Sequence, residues 1–340
     1  MQETHGKDLY NIIPDTYILP DEFADFYNDF KRNKGKWIIK PVASSQGRGI
    51  YIVDNLNEVP MDEVVVISRY IDNPYLINGL KFDMRVYVLI TSFEPLKIYV
   101  YEEGLARFAS KKYTSAHATT DKYMHLTNYS IQKKSSNFVQ NNDPLKDDEG
   151  HKWSLTALCR HFEQIGVDPG FVWSKIYDLI IKSLISIEPH VVEQVRKYSL
   201  HRSNCFDLFG FDILLDSNLR PWLVEVNLCP SMNNDSPLDH RIKSNLIADA
   251  LTLIGIRQFD RKKERINIVK TRIKQRQNMQ NASANVLHRT AQTTVGKSKN
   301  KEILRETLME FERRGNFVRI YPAKGTDYYD AFFETIRPIN

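Results

Sequence analysis

The sequence predicts an α+β fold in which mostly antiparallel sheets pack against helices. Runs rich in β-branched and aromatic residues are grouped early and late in the chain, and helical patterns lie between them. A hairpin pattern runs from Phe211 to Asn227 within the late group. With 340 residues, 42% of them hydrophobic and 26% charged, the chain can bury a sizeable core.

The predicted strands are short β-rich runs bounded by polar or small residues. Trp37–Pro41 and Ile50–Val53 are expected to be a strand and its return, joined by the small-residue loop Ala43–Gly49. Further strands are predicted over Val64–Ile71, Phe82–Ser92 and Ile98–Tyr101.

The predicted helices lie between these groups and at the end of the late group. Apolar residues at helical spacing from Leu155 to Ile165 predict a helix over Trp153–Ile165. Two more helices are predicted over Val172–Ile187 and Ile242–Leu253, and the polar stretch 137–150 is expected to be a surface loop.

The charge of the chain is concentrated after Gly255. Residues 261–301 contain twelve Lys and Arg but only one acidic residue, so this segment carries +11 and the rest of the chain −6 within a total of +5. We expect a basic helix and linker here, with helical character returning from residue 302. Such asymmetry indicates a polyanionic partner. A specific nucleic-acid partner is not expected, because no aromatic residues are interleaved with these charges.

Two other compositional features restrict the class of protein. No apolar run approaches the ~20 residues of a membrane helix, so no membrane insertion is expected. The three cysteines are far apart and lack metal-ligand spacing, and we expect buried thiols in a reducing intracellular compartment.

The hairpin predicts a group of oxygen ligands. With its strands paired around Ser217–Asn218, Asp212 is expected opposite Glu225, and strand periodicity puts Glu225 and Asn227 on one face. These side chains suit a hard cation such as Mg²⁺, whose shell nucleotide phosphates would complete. The alternative is a surface hairpin with solvated carboxylates.

A second strand carries charges on alternate residues. Lys81, Asp83 and Arg85 are expected on one face, with apolar residues on the other. The row suits a nucleotide and a carboxylate substrate, although a solvated strand face would show the same pattern.

Lys40 and the loop that contains Gly47 and Gly49 form the third set. Glycines allow backbone N–H groups to approach phosphate, and the lysine adds charge. No Gly-Lys-Ser/Thr follows, so the loop is not a Walker A sequence. The order of the three sets is that of ATP-grasp ligases.

Six segments in this order resemble motifs of the tubulin tyrosine ligase-like family. They are WIIKPVASSQGRG at 37–49, SRYI at 68–71, KFDMRVY at 81–87, YEEGLARF at 101–108, HLTNYS at 125–130, and the hairpin from Phe211 through Ser231. Ala43-Ser44-Ser45 and the Arg107-Phe108-Ala109 ending most resemble the polyglutamylase branch.

The resemblance implies an ATP-grasp fold and roles for particular residues. Arg85 and Arg107 would handle carboxylates and the transferring phosphate, and Lys133 would face the substrate. Asp212, Glu225 and Asn227 would bind two Mg²⁺ ions. The nucleotide-binding residues would be Lys40, Gln46, Gly47, Arg48, Gly49, Arg69, Tyr70, Ile71, Lys81, Asp83, Thr127 and Asn128.

The same resemblance implies an ATP-dependent ligase that adds free L-glutamate, through an acyl phosphate, to the γ-carboxylates of glutamates in tubulin C-terminal tails. The basic segment would then bind microtubules. We expect a monomer located in the cytoplasm on the cytoskeleton, including the cilium, axoneme or basal body. Glycylation, tyrosine ligation and an inactive microtubule-binding protein remain alternatives.

The resemblance also implies a division of the chain. We expect a lead-in at 1–36, a central lobe at 37–100, a C-terminal lobe at 101–256, the basic helix and linker at 257–301, and a C-terminal segment at 302–340. Family enzymes carry an N-terminal domain before the strand at Trp37, so we expect a partial chain whose independent activity is open.

Overall fold

The computed structural model describes residues 1–42, 47–114, 120–143, 146–199, 205–255 and 303–334, together with a few single positions between 262 and 301. The chain forms two compact units. The larger comprises residues 1–246 and the chain from 316 onward, and the smaller comprises residues 247–315.

A small antiparallel sheet forms one part of the larger unit. Its strands are β1 (Thr16–Leu19), β2 (Trp37–Pro41), β3 (Tyr51–Val53) and β4 (Val65–Arg69), in the order β1-β4-β2-β3. Trp37 and Ile39 are buried and pack with Phe26, while Lys40 lies outside this core. Because side chains alternate along a strand, the apolar residues of β2 set the direction of the lysine.

The larger sheet positions most of the candidate site residues. Its strands are β5 (Leu76–Ile77), β6 (Leu80–Phe93), β7 (Leu96–Phe108), β8 (Lys152–Ser154), β9 (Asp207–Leu215), β10 (Pro221–Asn227) and β11 (Phe317–Tyr321). They follow the order β10-β9-β6-β7-β11, with β5 on β6 and β8 on β7, and every pairing is antiparallel. The α+β class with antiparallel sheets is therefore confirmed.

The α-helices of the described residues are mostly short, apart from two long ones. They are α1 (Gln2–His5), α2 (Lys7–Tyr10), α3 (Phe23–Arg32), α4 (Lys122–His125), α5 (Tyr129–Gln132), α6 (Leu155–Gln164), α7 (Pro169–Tyr198) and α8 (Pro237–Ile254). Leu56–Glu58 and Asp327–Phe332 form 3₁₀ turns, and residues 303–312 are also helical. No helix of the described residues is long and apolar enough to cross a bilayer.

Helix α7 covers the apolar face of the larger sheet. Ile176, Ile180 and Leu184 belong to the same buried cluster as Val86 and Val88 of β6. One face of the sheet is thus sealed by hydrophobic packing, which leaves the opposite face available for polar groups.

All three predicted helices have different bounds in the structure, and the one predicted over Ile242–Leu253 begins earlier, at Pro237. Helix α7 continues past Ile187 through Pro189 to Tyr198, although proline usually ends a helix. The helix predicted from Trp153 begins instead at Leu155, because Ser154 caps it by accepting a hydrogen bond from the Ala157 N–H at 2.9 Å. Trp153 lies in β8.

Other expectations have mixed outcomes. The predicted lobe boundary at residue 100 falls inside β7. Strand β1, within the predicted lead-in, pairs with β4. The division of the chain into five segments stays a prediction. The basic helix falls largely outside the described residues. The prediction of buried thiols was wrong, since Cys229 is exposed and Cys159 and Cys205 are only half-buried; all three are free.

Within the smaller unit, Arg313 contacts the end of α8 near Leu253. Arg313 Nε donates a hydrogen bond to the Leu253 carbonyl at 2.9 Å. Gly255 follows with a positive φ of 62°, and the Arg313 guanidinium occupies the space that a β-carbon would need there. Helix α8 therefore ends at a residue type that tolerates this conformation.

Candidate active site

Alternate residues of β6 place charged groups on the face opposite the hydrophobic core. Phe82, Met84 and Val86 belong to that core. Lys81 and Asp83, on the other face, are only 7% and 6% exposed. The solvated-face alternative is therefore wrong, since charges this deeply buried need partners.

Neighbouring strands supply these partners at directly opposite positions. Asp83 of β6 is paired with Arg107 of β7, and Arg85 of β6 is paired with Asp212 of β9. Glu225 of β10 is in turn paired with Asp212. Directly opposed residues in antiparallel strands share a face, so these five side chains form one charged row across four strands.

The centre of the row is an ion-pair network of two arginines and two aspartates. Arg85 Nε donates to Asp212 Oδ1 at 2.5 Å, and Arg85 Nη2 donates to Asp212 Oδ2 at 3.0 Å. Arg107 Nε donates to Asp83 Oδ1 at 2.8 Å, and its Nη2 lies 2.8 Å from Asp212 Oδ2. Both arginines thus form forked contacts of the kind suited to carboxylate and phosphate groups.

The network shifts the pKa values of Asp212 and Arg107 in opposite directions. Burial alone raises the pKa of Asp212, but Arg107 and Arg85 outweigh it and hold that pKa below its usual value. Burial alone lowers the pKa of Arg107, but Asp212 and Asp83 raise it well above its usual value. Asp212 and Arg107 therefore both remain charged near neutral pH.

The hairpin contains a β-bulge that decides which residue faces Asp212. Pro221 pairs with Leu215 near the turn, and that register continued would put Val224 opposite Asp212. The register shifts between Leu223 and Glu225, so Glu225 takes this position instead. The predicted pairing of Asp212 with Glu225 is present, but it depends on an irregularity that sequence periodicity does not reveal.

Lys40 reaches the hairpin from the small sheet. Its Nζ donates to the carbonyl oxygen of Val224 at 3.0 Å, next to Glu225. Burial lowers the pKa of Lys40, whereas the negative charges of Glu225 and Asp212 act in the opposite direction. Residues nearly two hundred positions apart in sequence thus place an ammonium beside a carboxylate pair.

Lys81 belongs to a buried polar network with aromatic partners. Its Nζ donates to the Tyr70 hydroxyl at 3.0 Å, and that oxygen lies 2.8 Å from His125 Nδ1. Burial lowers the pKa of Lys81 to about 7, with Asp83 opposing the shift and Lys40 adding to it. Sequence analysis did not single out His125 for this network.

The loop glycines lie against the segment that begins at Leu126. Gly47 has a φ of 74°, and a β-carbon there would lie 2.7 Å from Ile131 Cδ1 and 2.8 Å from Asn128 Oδ1. Glycine is required on both counts. Gly49 also has a positive φ, Arg48 is exposed, and Gln46 lies outside the described residues.

The remaining predicted residues lie at different distances from this face. The Arg69 side chain donates to the Asn33 carbonyl at 2.6 Å, and the Arg69 backbone N–H donates to the Asp15 carbonyl at 2.7 Å, so Arg69 stabilises the small sheet. The Tyr70 N–H donates to the Lys36 carbonyl at 2.9 Å, and Ile71 is half-buried. Thr127 is half-buried. Lys133 is exposed, with Nζ 5.3 Å from the Tyr129 ring centre, and the structure does not bring it to the charged row.

The predicted metal ligands differ in their availability. Glu225 is exposed, and Asn227 Nδ2 donates to the Gly210 carbonyl at 3.2 Å, which leaves Asn227 Oδ1 free to ligate. Both oxygens of Asp212 already accept from arginine. Among described residues, no three His, Cys, Asp or Glu side chains form a metal-binding group by themselves. Glu225 and Asn227 thus fit a cation whose other ligands come from a phosphate.

One buried charged group was missed by sequence reasoning. Lys152 of β8 is directly opposite Arg107, and its Nζ donates to Asp239 at 2.6 Å. Polar Lys152 and Ser154 alternate with Trp153, as expected of a strand. The prediction of a helix from Trp153 hid this pattern. Recognising Ser154 as a helix cap would have revealed the strand before it.

Comparison with known proteins shows the family to which the chain belongs. The family model described as "Tubulin-tyrosine ligase family" matches residues 1–266. The chain belongs to this family. It is 40% identical over 360 residues to tubulin polyglutamylase TTLL5 of Mus musculus, covering 98% of this chain and 27% of the relative. Identity is 36% with tubulin monoglutamylase TTLL4 of Homo sapiens (100% and 30% covered) and 37% with tubulin polyglutamylase ttll-5 of Caenorhabditis elegans (93% and 50% covered).

These relatives confirm the family resemblance that the six motifs predicted. The chain spans about a quarter to a half of the length of these curated relatives. The family match supports the predicted ATP-grasp-like fold.

Proposed function

We propose that this chain is the catalytic part of an ATP-dependent ligase that attaches free L-glutamate to glutamate side chains in tubulin tails. The observation that carries the proposal is the convergence of Lys40 with the Asp212–Glu225 pair, beside the Arg85 and Arg107 forks. The relatives named as tubulin polyglutamylases and monoglutamylases support the choice of substrate.

The residues divide into a nucleotide group and a carboxylate group. Lys40 would hold phosphate, with the 46–49 loop closing over the nucleotide and Asn128 supporting that loop through Gly47. Lys81, Asp83 and the Ile71 backbone would contact adenine and ribose. A bound Mg²⁺ would neutralise phosphate charge, and Glu225 and Asn227 Oδ1 would hold it, joined by Asp212 if its arginines exchange partners.

The chemistry requires an activated carboxyl group, because an amine does not displace hydroxide from a carboxylate. The γ-carboxylate of the acceptor glutamate would attack the γ-phosphorus of ATP and become an acyl phosphate, with ADP as the leaving group. The amino group of free glutamate would then form the amide bond, and inorganic phosphate would leave with the proton passing to solvent. Arg85 and Arg107 would orient the negatively charged groups and stabilise the charge that develops between them.

The basic segment at 261–301 supports an acidic substrate. Its +11 charge would raise the local concentration of glutamate-rich tails, in a manner that salt weakens. We propose microtubules as its partner and the cytoskeleton, including the cilium, as the site of action.

The test is incorporation of labelled amino acids. The full-length protein is incubated with microtubules and ATP, and radiolabelled glutamate, glycine and tyrosine are offered separately, followed by mass spectrometry of the tubulin tails. Glutamate incorporation is expected, and preference for glycine or tyrosine would replace the donor assignment. No incorporation of any of them would leave the inactive microtubule-binding protein as the function.

A variant pair tests the site itself. Glu225→Gln should abolish incorporation while salt-sensitive microtubule binding remains. Glu193→Gln, at an exposed position on α7, is the matched control and should retain activity. Unchanged incorporation by Glu225→Gln would remove Glu225 from the metal site.

A further inference from the structure

A second buried charged cluster borders the arginine network. Lys152 Nζ donates to Asp239 Oδ2 at 2.6 Å, and Lys243 Nζ lies 3.2 Å from Asp239 Oδ1, an ion-pair distance without hydrogen-bond geometry. Asp239 is 0% exposed, and both lysines are below 9%. Two ammonium groups thus share one carboxylate, so this cluster (Lys152, Asp239, Lys243) carries one excess positive charge.

The excess charge lies on the same sheet face as the candidate active site. Lys152 and Arg107 are directly opposed across β8 and β7, so their side chains leave the sheet on the same side. The Tyr129 ring, at the start of α5, lies 4.2 Å from the Lys152 Nζ. The charged row therefore extends beyond Arg107 by one more cation.

The cluster is more than a helix cap. Asp239 lies in the first turn of α8, where it accepts a hydrogen bond from Ser236 Oγ at 2.9 Å. Capping explains Ser236 and Asp239, but it requires neither buried lysine. Lys243 also donates to the Asn233 carbonyl, which ties the cluster to the segment that follows the predicted ligand Asn227.

Burial of an unbalanced ammonium has an energetic cost that an anion would offset. Burial and the positive charge of Lys243 lower the pKa of Lys152. The negative charges of Asp239 and Asp235 act in the opposite direction. Asp235 is exposed, so water screens its charge. A carboxylate bound beside Lys152 and Arg107 would complete the charge balance.

We propose that Lys152, positioned by Asp239, acts with Arg107 to bind a carboxylate group of an amino-acid or peptide substrate. The inference rests on the proposed ligase function and extends it to the residue that selects an acidic substrate. Free glutamate and the glutamate-rich acceptor both offer this chemistry, and their separate saturation curves distinguish them.

The experiment is steady-state kinetics on the full-length protein with Lys152→Met, which keeps chain length and removes charge. ATP, free glutamate and an acidic acceptor peptide are each varied in turn. We expect KM for glutamate or for the peptide to rise about 10–100-fold, with KM for ATP unchanged, because one charge-assisted hydrogen bond is lost. The substrate whose KM rises is the one whose carboxylate binds here.

Two controls separate this role from structure. Lys182→Met removes another buried lysine, paired with Asp178 within α7, and should leave all three KM values unchanged. If Lys152→Met fails to fold, the paired replacement Lys152→Gln with Asp239→Asn removes both charges together, and the same KM rise is expected.

The outcomes are distinguishable from failure of the ligase proposal. A wild-type protein that incorporates glutamate, together with Lys152 variants whose glutamate and peptide KM values are unchanged, overturns the inference and leaves the function standing. A selective rise in KM for ATP also overturns it. A wild-type protein without incorporation ends both proposals.

Discussion

Asp212 and Glu225 are paired across two strands, but only the replacement of Asp212 should lower the free energy of unfolding strongly. Either replacement should remove ligase activity. Asp212→Asn should destabilise the free protein by about 3–5 kcal/mol, the usual cost of breaking a buried ion pair from one side. Glu225→Gln should change the free energy of unfolding by less than ~0.5 kcal/mol, because Glu225 is exposed.

The magnitude for Asp212 comes from the charges left behind. Arg107 keeps Asp83 as a partner after the replacement, but within the described residues the ion-pair partner of Arg85 is Asp212. One buried guanidinium is therefore left without a carboxylate. The asparagine oxygen can still accept one hydrogen bond, so we expect the lower end of the range, about 3 kcal/mol.

The assay is urea unfolding without nucleotide, followed over pH. The pKa of Asp212 is lowered in the folded state, so its contribution to stability is present above the unfolded carboxyl pKa of ~3.9 and is lost as pH falls through the folded value. Asp212→Asn should lack this loss. Equal unfolding midpoints for the two variants at neutral pH would refute the ion-pair argument.

Three further predictions concern nucleotide and microtubule binding. Burial lowers the pKa of Lys81 to about 7, and the negative charge of bound ATP would raise it, so ATP binding just above pH 7 should be accompanied by proton uptake. Calorimetry in buffers of different ionisation enthalpy measures this uptake, and Lys81→Met should reduce it. Gly47→Ala should weaken ATP binding about tenfold, since it adds ~1–2 kcal/mol of backbone strain and a clash, whereas Gly6→Ala, with positive φ but open space, should leave the Kd unchanged. Replacing the basic residues of 261–276 with glutamine should weaken microtubule co-sedimentation and flatten its salt dependence; an unchanged slope would place the contact elsewhere.

Local periodicity accounts for what could be predicted about the site. The alternation of Lys81, Asp83 and Arg85 with apolar residues requires only the two-residue repeat of a strand, and the structure shows it. The strand Trp37–Pro41 follows from the same rule, with bounds that match the prediction. The nucleotide-binding roles of individual residues were inferred from the resemblance to family motifs, because periodicity indicates the face of a strand but not the ligand that binds there.

Features that depend on distant partners were beyond this reasoning. Helix α7 continues through Pro189 because Val192, buried in the core beyond it, adds packing that offsets a local penalty. The shift that puts Glu225 opposite Asp212 belongs to the pairing of two strands and not to either strand alone. Lys152 was missed because its partners, Arg107 and Asp239, are far away in sequence.

The sequence by itself determined the α+β class, the family, the alternating charges of β6 and the basic character of 261–301. These properties follow from neighbouring residues and from composition, which are encoded locally. Tertiary structure decided that Asp212 is held by two arginines, that Lys40 lies beside the hairpin, and that Lys152 continues the charged row. The physical reason is that charge balance in a buried site is a sum over groups that only folding brings within a few ångströms of each other.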